Sequence, residues 1–219
     1  MPFEISVPGR RHFRRLALVL GLAALAWSGG ASAGQTAASN EQLFGTEEIH
    51  STNLQMFPKW RGTIDRYAGE QKTCDPAKCH LKEWQALVER LRGKDLMTEL
   101  REVNREMNAK PYITDPVNWN LPDYWATPFQ FLRKDGDCED YAIAKYMALR
   151  NLGVSVDDMR IVVLQDMNLG IAHAILAVYI KGTPYILDNQ ISTVIPAKAI
   201  HHYKPVYSVN ENGWWLHRS

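Results

Sequence analysis

Residues 172 to 180 read Ala-His-Ala-Ile-Leu-Ala-Val-Tyr-Ile, almost without a polar side chain. A strand with one wet face alternates apolar and polar residues; a run this continuous has to be covered on both faces. The chain must therefore build a sheet with this strand inside it and a layer on either side. Arg160 to Gln165, with its Ile-Val-Val-Leu, and the short Tyr185 to Asp188 are the neighbouring strands. Val206 to His217 adds a final strand that Gly213 disrupts. A tight turn at Lys181-Gly182 would set Ile180 opposite Thr183 and Asp188 opposite Ile175. His173, two residues from Ile175, then shares a face with Asp188 as its diagonal cross-strand neighbour.

The first half of the chain is helical in pattern, from about Asn40 to Asn108. Leu81, Trp84, Leu87, Val88 and Leu91 recur at three- and four-residue spacing, as on an amphipathic helix. Gly93 interrupts the pattern, and Leu96, Leu100, Val103 and Met107 resume it. These stripes are core. Residues 109 to 130 carry four prolines, Pro111, Pro116, Pro122 and Pro128, between Tyr112, Trp119, Tyr124, Trp125 and Phe129. A loop that long is uncommon in a compact domain and is often functional, though a packed connector has the same composition. A further helix begins near Asp137, with Ala142, Ile143, Tyr146, Met147 and Leu149 as its apolar face and Gly153 as its stop. Helices first, then a helix leading into a mostly antiparallel sheet, define an α+β fold.

Residues 1–33 have the order of a secretory signal peptide: Arg10, Arg11, Arg14 and Arg15, an apolar run from Leu16 to Trp27, and Ala31-Ser32-Ala33. The apolar run is too short for the roughly 20 residues a bilayer span needs. Cleavage after Ala33 would leave residues 34–219 as one exported domain without direct membrane insertion. Removing four Arg and one Glu from 25 basic and 24 acidic residues leaves a net charge near −2. That balance makes no electrostatic case for nucleic acid or anionic lipid as a partner. Three cysteines are present, Cys74, Cys79 and Cys138. An oxidising compartment favours a local Cys74–Cys79 disulfide, with free thiols or half of a metal site, beside His80, as the rival readings. Pairing Cys74 with Cys79 would leave Cys138 alone.

Cys138 lies in Lys-Asp-Gly-Asp-Cys-Glu-Asp-Tyr at a helix start. Unpaired N–H groups and partial positive charge there favour thiolate over thiol, and the thiolate is the nucleophile. A cysteine nucleophile needs an imidazole, and His173 has what His50, His80, His201, His202 and His217 lack, a carboxylate at a neighbouring strand end. Asp188 in reach would hold the imidazole tautomer and orientation. The bland alternatives are a buried apolar cysteine and a structural histidine. Asp137, Glu139 and Asp140 oppose the chemistry, since three negative charges within a turn raise a thiol pKa unless they are neutralised.

The helix-start Gly-Asp-Cys-Glu-Asp-Tyr-Ala, the strand-start His-Ala and the strand-end Leu-Asp-Asn together resemble the bacterial transglutaminase-like cysteine proteinases. The likeness is strongest from Asp115 to His217. It implies a papain/transglutaminase-like core with residues 34–110 as a helical subregion and 111–219 as the catalytic core. It implies a periplasmic cysteine endopeptidase with Cys138, His173 and Asp188 as catalytic residues. Its substrate would be a large cell-surface adhesin cut near its N-terminus, so that adhesion and biofilm dispersal come under its control. The periplasmic domain of an inner-membrane cyclic-di-GMP receptor would be its inhibitory partner, docking on an exposed aromatic surface that includes Trp125. It also implies Ca²⁺ as cofactor, held by Asp137, Glu139 and Asp140 with help from the Asn118–Asn120 loop. The competing functions are a transglutaminase or amidase using the same three residues, and a non-catalytic binding module that would tolerate loss of Cys138.

Overall fold

The computed structural model describes residues 40–75 and 80–218. The expected leader, residues 1–33, and Cys79 of the expected disulfide lie outside the described residues. Among the described residues no helix is long and apolar enough to cross a membrane.

Among the described residues seven antiparallel strands form one sheet. In chain order they are β1 (Glu47–Ser51), β2 (Met159–Asp166), β3 (Ile171–Ile180), β4 (Thr183–Leu187), β5 (Ile195–Pro196), β6 (Tyr203–Val209) and β7 (Trp214–Arg218); in space the order is β1-β7-β6-β2-β3-β4-β5. The apolar run is β3, paired with β2 over eight residues on one side and with β4 on the other. Lys181 and Gly182 both have positive φ, at 51° and 84°, as a two-residue hairpin turn that follows strand twist requires. The register runs from Ile180 opposite Thr183 to Leu176 opposite Leu187, the alignment the turn prescribed. Asp188 is the next residue after β4.

Both faces of β3 are covered. Leu176 and Val178 face a helix, α6 (Cys138–Leu152), whose Ala142 to Leu149 are buried without interruption. Ile175 and Ala177 face the other way, onto Leu43, Ala197, Ile200 and Tyr203. The helices α1 (Pro58–Thr73), α2 (Leu81–Leu91) and α3 (Leu96–Asn108) extend the first layer, joining Trp60, Tyr67, Trp84, Leu100 and Val103 to the buried face of α6. Trp60 stands edge-on to Tyr146 at 5.2 Å and donates its indole N–H to the Asn210 carbonyl at 2.9 Å. Between α3 and α6, the proline-rich segment contains two short helices, α4 (Asp115–Asn118) and α5 (Pro128–Lys134). Thr127 and Gln130 form a capping box at the start of α5.

The structure corrects three expectations. Residues 47 to 51 are a strand, not part of the helical region, because β7 offers them a ladder. Val206 to His217 falls within two strands, β6 and β7, joined through a turn in which Asn210 Oδ1 accepts from Asn212 and Gly213 N–H at 2.8 and 3.0 Å. Gly213 is needed there for space: a Cβ would meet His50 Nε2 at 2.5 Å and the Ser51 carbonyl at 2.8 Å. Trp125 is not a surface residue. It is 6% exposed and packs its ring against Trp60 at 6.4 Å, because Pro-rich chain with large apolar side chains folds inward where it can.

Candidate active site

The first residue of α6 is Cys138. Asp137 precedes it as N-cap, in a capping box with Asp140: Asp140 Oδ2 accepts the Asp137 N–H at 3.3 Å. Asp140 Oδ1 accepts the Ala126 N–H at 2.7 Å. The carboxylate of Asp140 thus joins the end of the proline-rich segment to the start of the helix and fixes where Cys138 emerges. Gly136 is required here as well, since a Cβ would lie 2.3 Å from Asp140 Oδ2.

Cys138 opens into a cleft of about 340 Å³ whose walls include Tyr112, Trp125, Val163, Ala172, His173, Ala174 and Tyr207. The Ala174 N–H works to lower the thiol pKa, and Ala174 lines the same cleft, one residue beyond His173 on β3. His173 is 3% exposed and Asp188 1%. His173 Nε2 lies 2.9 Å from Asp188 Oδ1, so the ring nitrogen left to serve the cleft is Nδ1, with Gln190 Nε2 at 3.4 Å. Burial alone would raise the Asp188 carboxyl; hydrogen bonds from His173, Tyr203 and the Gln190 N–H outweigh it and hold the group below the usual carboxylate range. The other described histidines are differently occupied. His217, for example, is buried between Thr46 Oγ1 at 2.8 Å and Ser208 Oγ at 2.9 Å.

The acids around Cys138 do create the expected conflict. The thiol donates to Glu139 Oε2 at 3.1 Å, and it is pushed above its usual range by burial first and then by the charge on Glu139. Glu139 is itself pushed up to about 9 by burial and by Asp137. Asp137 and Asp140 are raised, mainly by burial, and Asp115 is raised to about 6 for the same reason. Sequence reasoning missed Asp115 and Asp123. One oxygen each from Asp115, Asp123 and Glu139 lie within 4.8 Å of one another, as do oxygens of Asp115, Asp137 and Asp140. Asp115 Oδ2 accepts the Tyr124 N–H, and Asp137 Oδ2 the Asp115 N–H at 3.2 Å. Asp115 Oδ1 and Asp137 Oδ1 are buried with no hydrogen-bond partner. Orphaned carboxylate oxygens this close together are costly unless a cation meets them, and a set made of hard oxygens suits Ca²⁺. The Asn118 amide N–H donates to the Asp135 carbonyl at 3.2 Å, tying its loop to the chain just before Asp137.

An α+β fold with a cysteine at the head of its central helix and a histidine–aspartate pair on the adjoining strands defines a cysteine peptidase on a transglutaminase-like scaffold. The chain belongs to the bacterial transglutaminase-like cysteine proteinases, whose family model matches residues 68–217. Among solved structures it is similar to LapG of Legionella pneumophila, with 34% identity and a TM-score of 0.58 over 70% of this chain and 87% of that one. The calcium-bound form of that protein aligns with the same values. The EGTA-treated form aligns at a TM-score of 0.59 over 72% of this chain and 86% of that one. No curated protein matches the chain.

Proposed function

We propose that this cysteine peptidase is a calcium-dependent endopeptidase in which Cys138 is the nucleophile, His173 the general base and acid, and Asp188 the group that orients His173. The observation that carries the reading is the buried His173–Asp188 pair, which commits Nε2 and leaves Nδ1 for the cleft that holds Cys138. Cys138 gives its proton to His173 Nδ1 and its sulfur attacks a peptide carbonyl, whose oxygen becomes an anion facing the N–H groups that open α6. The carbon–nitrogen bond then breaks and the imidazolium returns its proton to the leaving amine. Water, deprotonated by His173, attacks the thioester; the carbon–sulfur bond breaks and the sulfur regains a proton. Asp115, Asp123, Asp137 and Glu139 would hold the calcium ion, with Asp140 placing the loop that presents them. Bound there, the ion supplies two positive charges against the carboxylates that otherwise disfavour a thiolate.

The substrate we infer is a large cell-surface adhesin, cut near its N-terminus, with adhesion and biofilm dispersal as the consequence. Likeness to the LapG structures supports the reading, as does the leader-like order of residues 1–33, which would deliver residues 34–219 to the periplasm as one catalytic domain. The periplasmic domain of an inner-membrane cyclic-di-GMP receptor would restrain it. With Trp125 buried, that contact would fall to exposed side chains such as Tyr112 on the wall of the cleft and Leu121 in the proline-rich segment. Incubating the mature chain with adhesin N-terminal fragments and mapping products by mass spectrometry tests the assignment. A Cys138-dependent cut that disappears in chelator is expected; amine incorporation without hydrolysis would favour the transglutaminase alternative.

A further inference from the structure

We propose that Tyr203 is a positioning residue for this centre, holding the second oxygen of Asp188 and, through it, the plane of the His173 ring. The inference rests on the roles proposed above for Cys138, His173 and Asp188 and adds a residue to them.

Asp188 sits one residue beyond β4, where the strand ladder no longer fixes it. Its carbonyl is held by Asn108 Nδ2 at 2.7 Å, and its Oδ1 is shared between His173 Nε2 and the Gln190 N–H, both at 2.9 Å. Among the described residues Oδ2 has one partner, the Tyr203 hydroxyl at 2.6 Å. With Asp188 only 1% exposed, bulk water does not stand in for it. Without that donor the carboxylate is free to turn about its own axis, and the hydrogen bond that orients His173 turns with it. Tyr203 opens β6, two strands from β3, and reaches the pair across the face it shares with Ile175 and Ala177. Its ring lies 5.8 Å from that of His173, and Phe44 stands edge-on behind it at 6.0 Å. An apolar side chain would fill that space equally well; a buried hydroxyl is tolerated there because it has a charged acceptor. The charged and titratable groups around the pair include Tyr203 from β6 with Asp166 of β2 beside it, the buried Lys145 from α6, and Cys138 and Glu139 from the start of α6 in the same cleft as His173.

The test uses the full chain with calcium and reads the pH dependence of Cys138 alkylation by iodoacetamide, which needs no substrate. Tyr203→Phe leaves Asp188 Oδ2 unpaired and more basic, so His173 keeps its proton to higher pH. The acid limb of the profile should rise by about half a pH unit or more. Peptidase kcat should fall about ten- to a hundredfold with KM little changed, the loss expected for one charge-assisted hydrogen bond in the transition state. Site-specific 3-fluorotyrosine at position 203 keeps the shape and strengthens the donor, so it should move the limb down. Phe44→Leu loosens the same ring and keeps the hydroxyl, and should leave the limb in place. A wild-type profile in both Tyr203 variants, or an equal shift in Phe44→Leu, overturns the inference. A profile that His173→Ala leaves unchanged would instead remove the proposed catalytic centre, and this inference with it.

Discussion

At the scale of single residues, the thiol of Cys138 is turned toward Glu139 and the free imidazole nitrogen of His173 is approached by Gln190. Chemistry needs both contacts to give way, so the three central side chains should be unequally sensitive to substitution. Cys138→Ala removes the nucleophile and should abolish peptide cleavage with the circular-dichroism spectrum unchanged. Asp188→Asn keeps the shape but offers Nε2 the wrong partner, and should lower kcat on the order of 10³-fold or more. Cleavage that survives in a folded Cys138→Ala protein would falsify the mechanism. Asp115→Asn removes one buried, unpartnered oxygen's charge. Calorimetry on chelator-stripped protein should show calcium affinity weakened about tenfold or more, on the reasoning that a hard cation selects charged oxygens. Unchanged affinity would take Asp115 out of the ligand set. Cys138, His173 and Asp188 were readable from the sequence because each is announced locally, by a helix start, a strand start or a strand end. Asp115 and Asp123 were not, since they lie in chain with no period and reach Asp137 and Glu139 only after the proline-rich segment folds back. For the remaining cysteines, thiol titration of unreduced, denatured protein should find one free thiol, Cys138; three would exclude a Cys74–Cys79 link.

Elements were legible to the extent that their period was long. α2 and α3 show several turns of apolar spacing, and both ends of the β3–β4 pairing follow from a two-residue turn. β1 carries five residues, Glu-Glu-Ile-His-Ser, whose strand character depends on β7 more than 160 positions later. No local signal encodes such a partner. The same junction makes Gly213 a sensitive position. Gly213→Val would drive side-chain atoms into the His50 ring and the Ser51 carbonyl, detaching β1 from the sheet at a cost of about 1–3 kcal/mol. Chemical denaturation should show the lowered midpoint. Since β1 and β7 stand at the far side of the sheet from His173, activity per folded molecule should be close to wild type; a variant that folds normally but is inactive would contradict this.

For the whole molecule, the acidic cluster links stability to pH and calcium. Glu139 and Asp115 have folded-state pKa values raised to about 9 and about 6 by burial. A raised value means that the folded state holds protons the unfolded state releases. The contribution is full below the unfolded carboxylate pKa, and it is lost as pH rises through the folded values. Chelator-stripped protein should therefore lose melting temperature steadily from about pH 4 to 9. Calcium should raise the melting temperature most at the alkaline end, because it binds the deprotonated carboxylates of the folded state alone. Scanning calorimetry at several pH values, with calcium and with chelator, measures both effects. A flat profile in chelator would show that the cluster is ionised and paid no folding penalty.

The outer margin of the sheet beyond β4 is β5, only two residues long and ending in Pro196. Proline offers no N–H to a further strand, and so short an edge gives an incoming chain almost nothing to template on. An enzyme that handles extended polypeptides next to a sheet is exposed to recruiting them, or its own neighbours, into amyloid-like stacks. Here that margin is closed by brevity and by one ring, so among the described strands an intermolecular sheet would have to start from β1, where the exposed Glu47 would face its own copy as a like charge while Glu48 is held by Arg160.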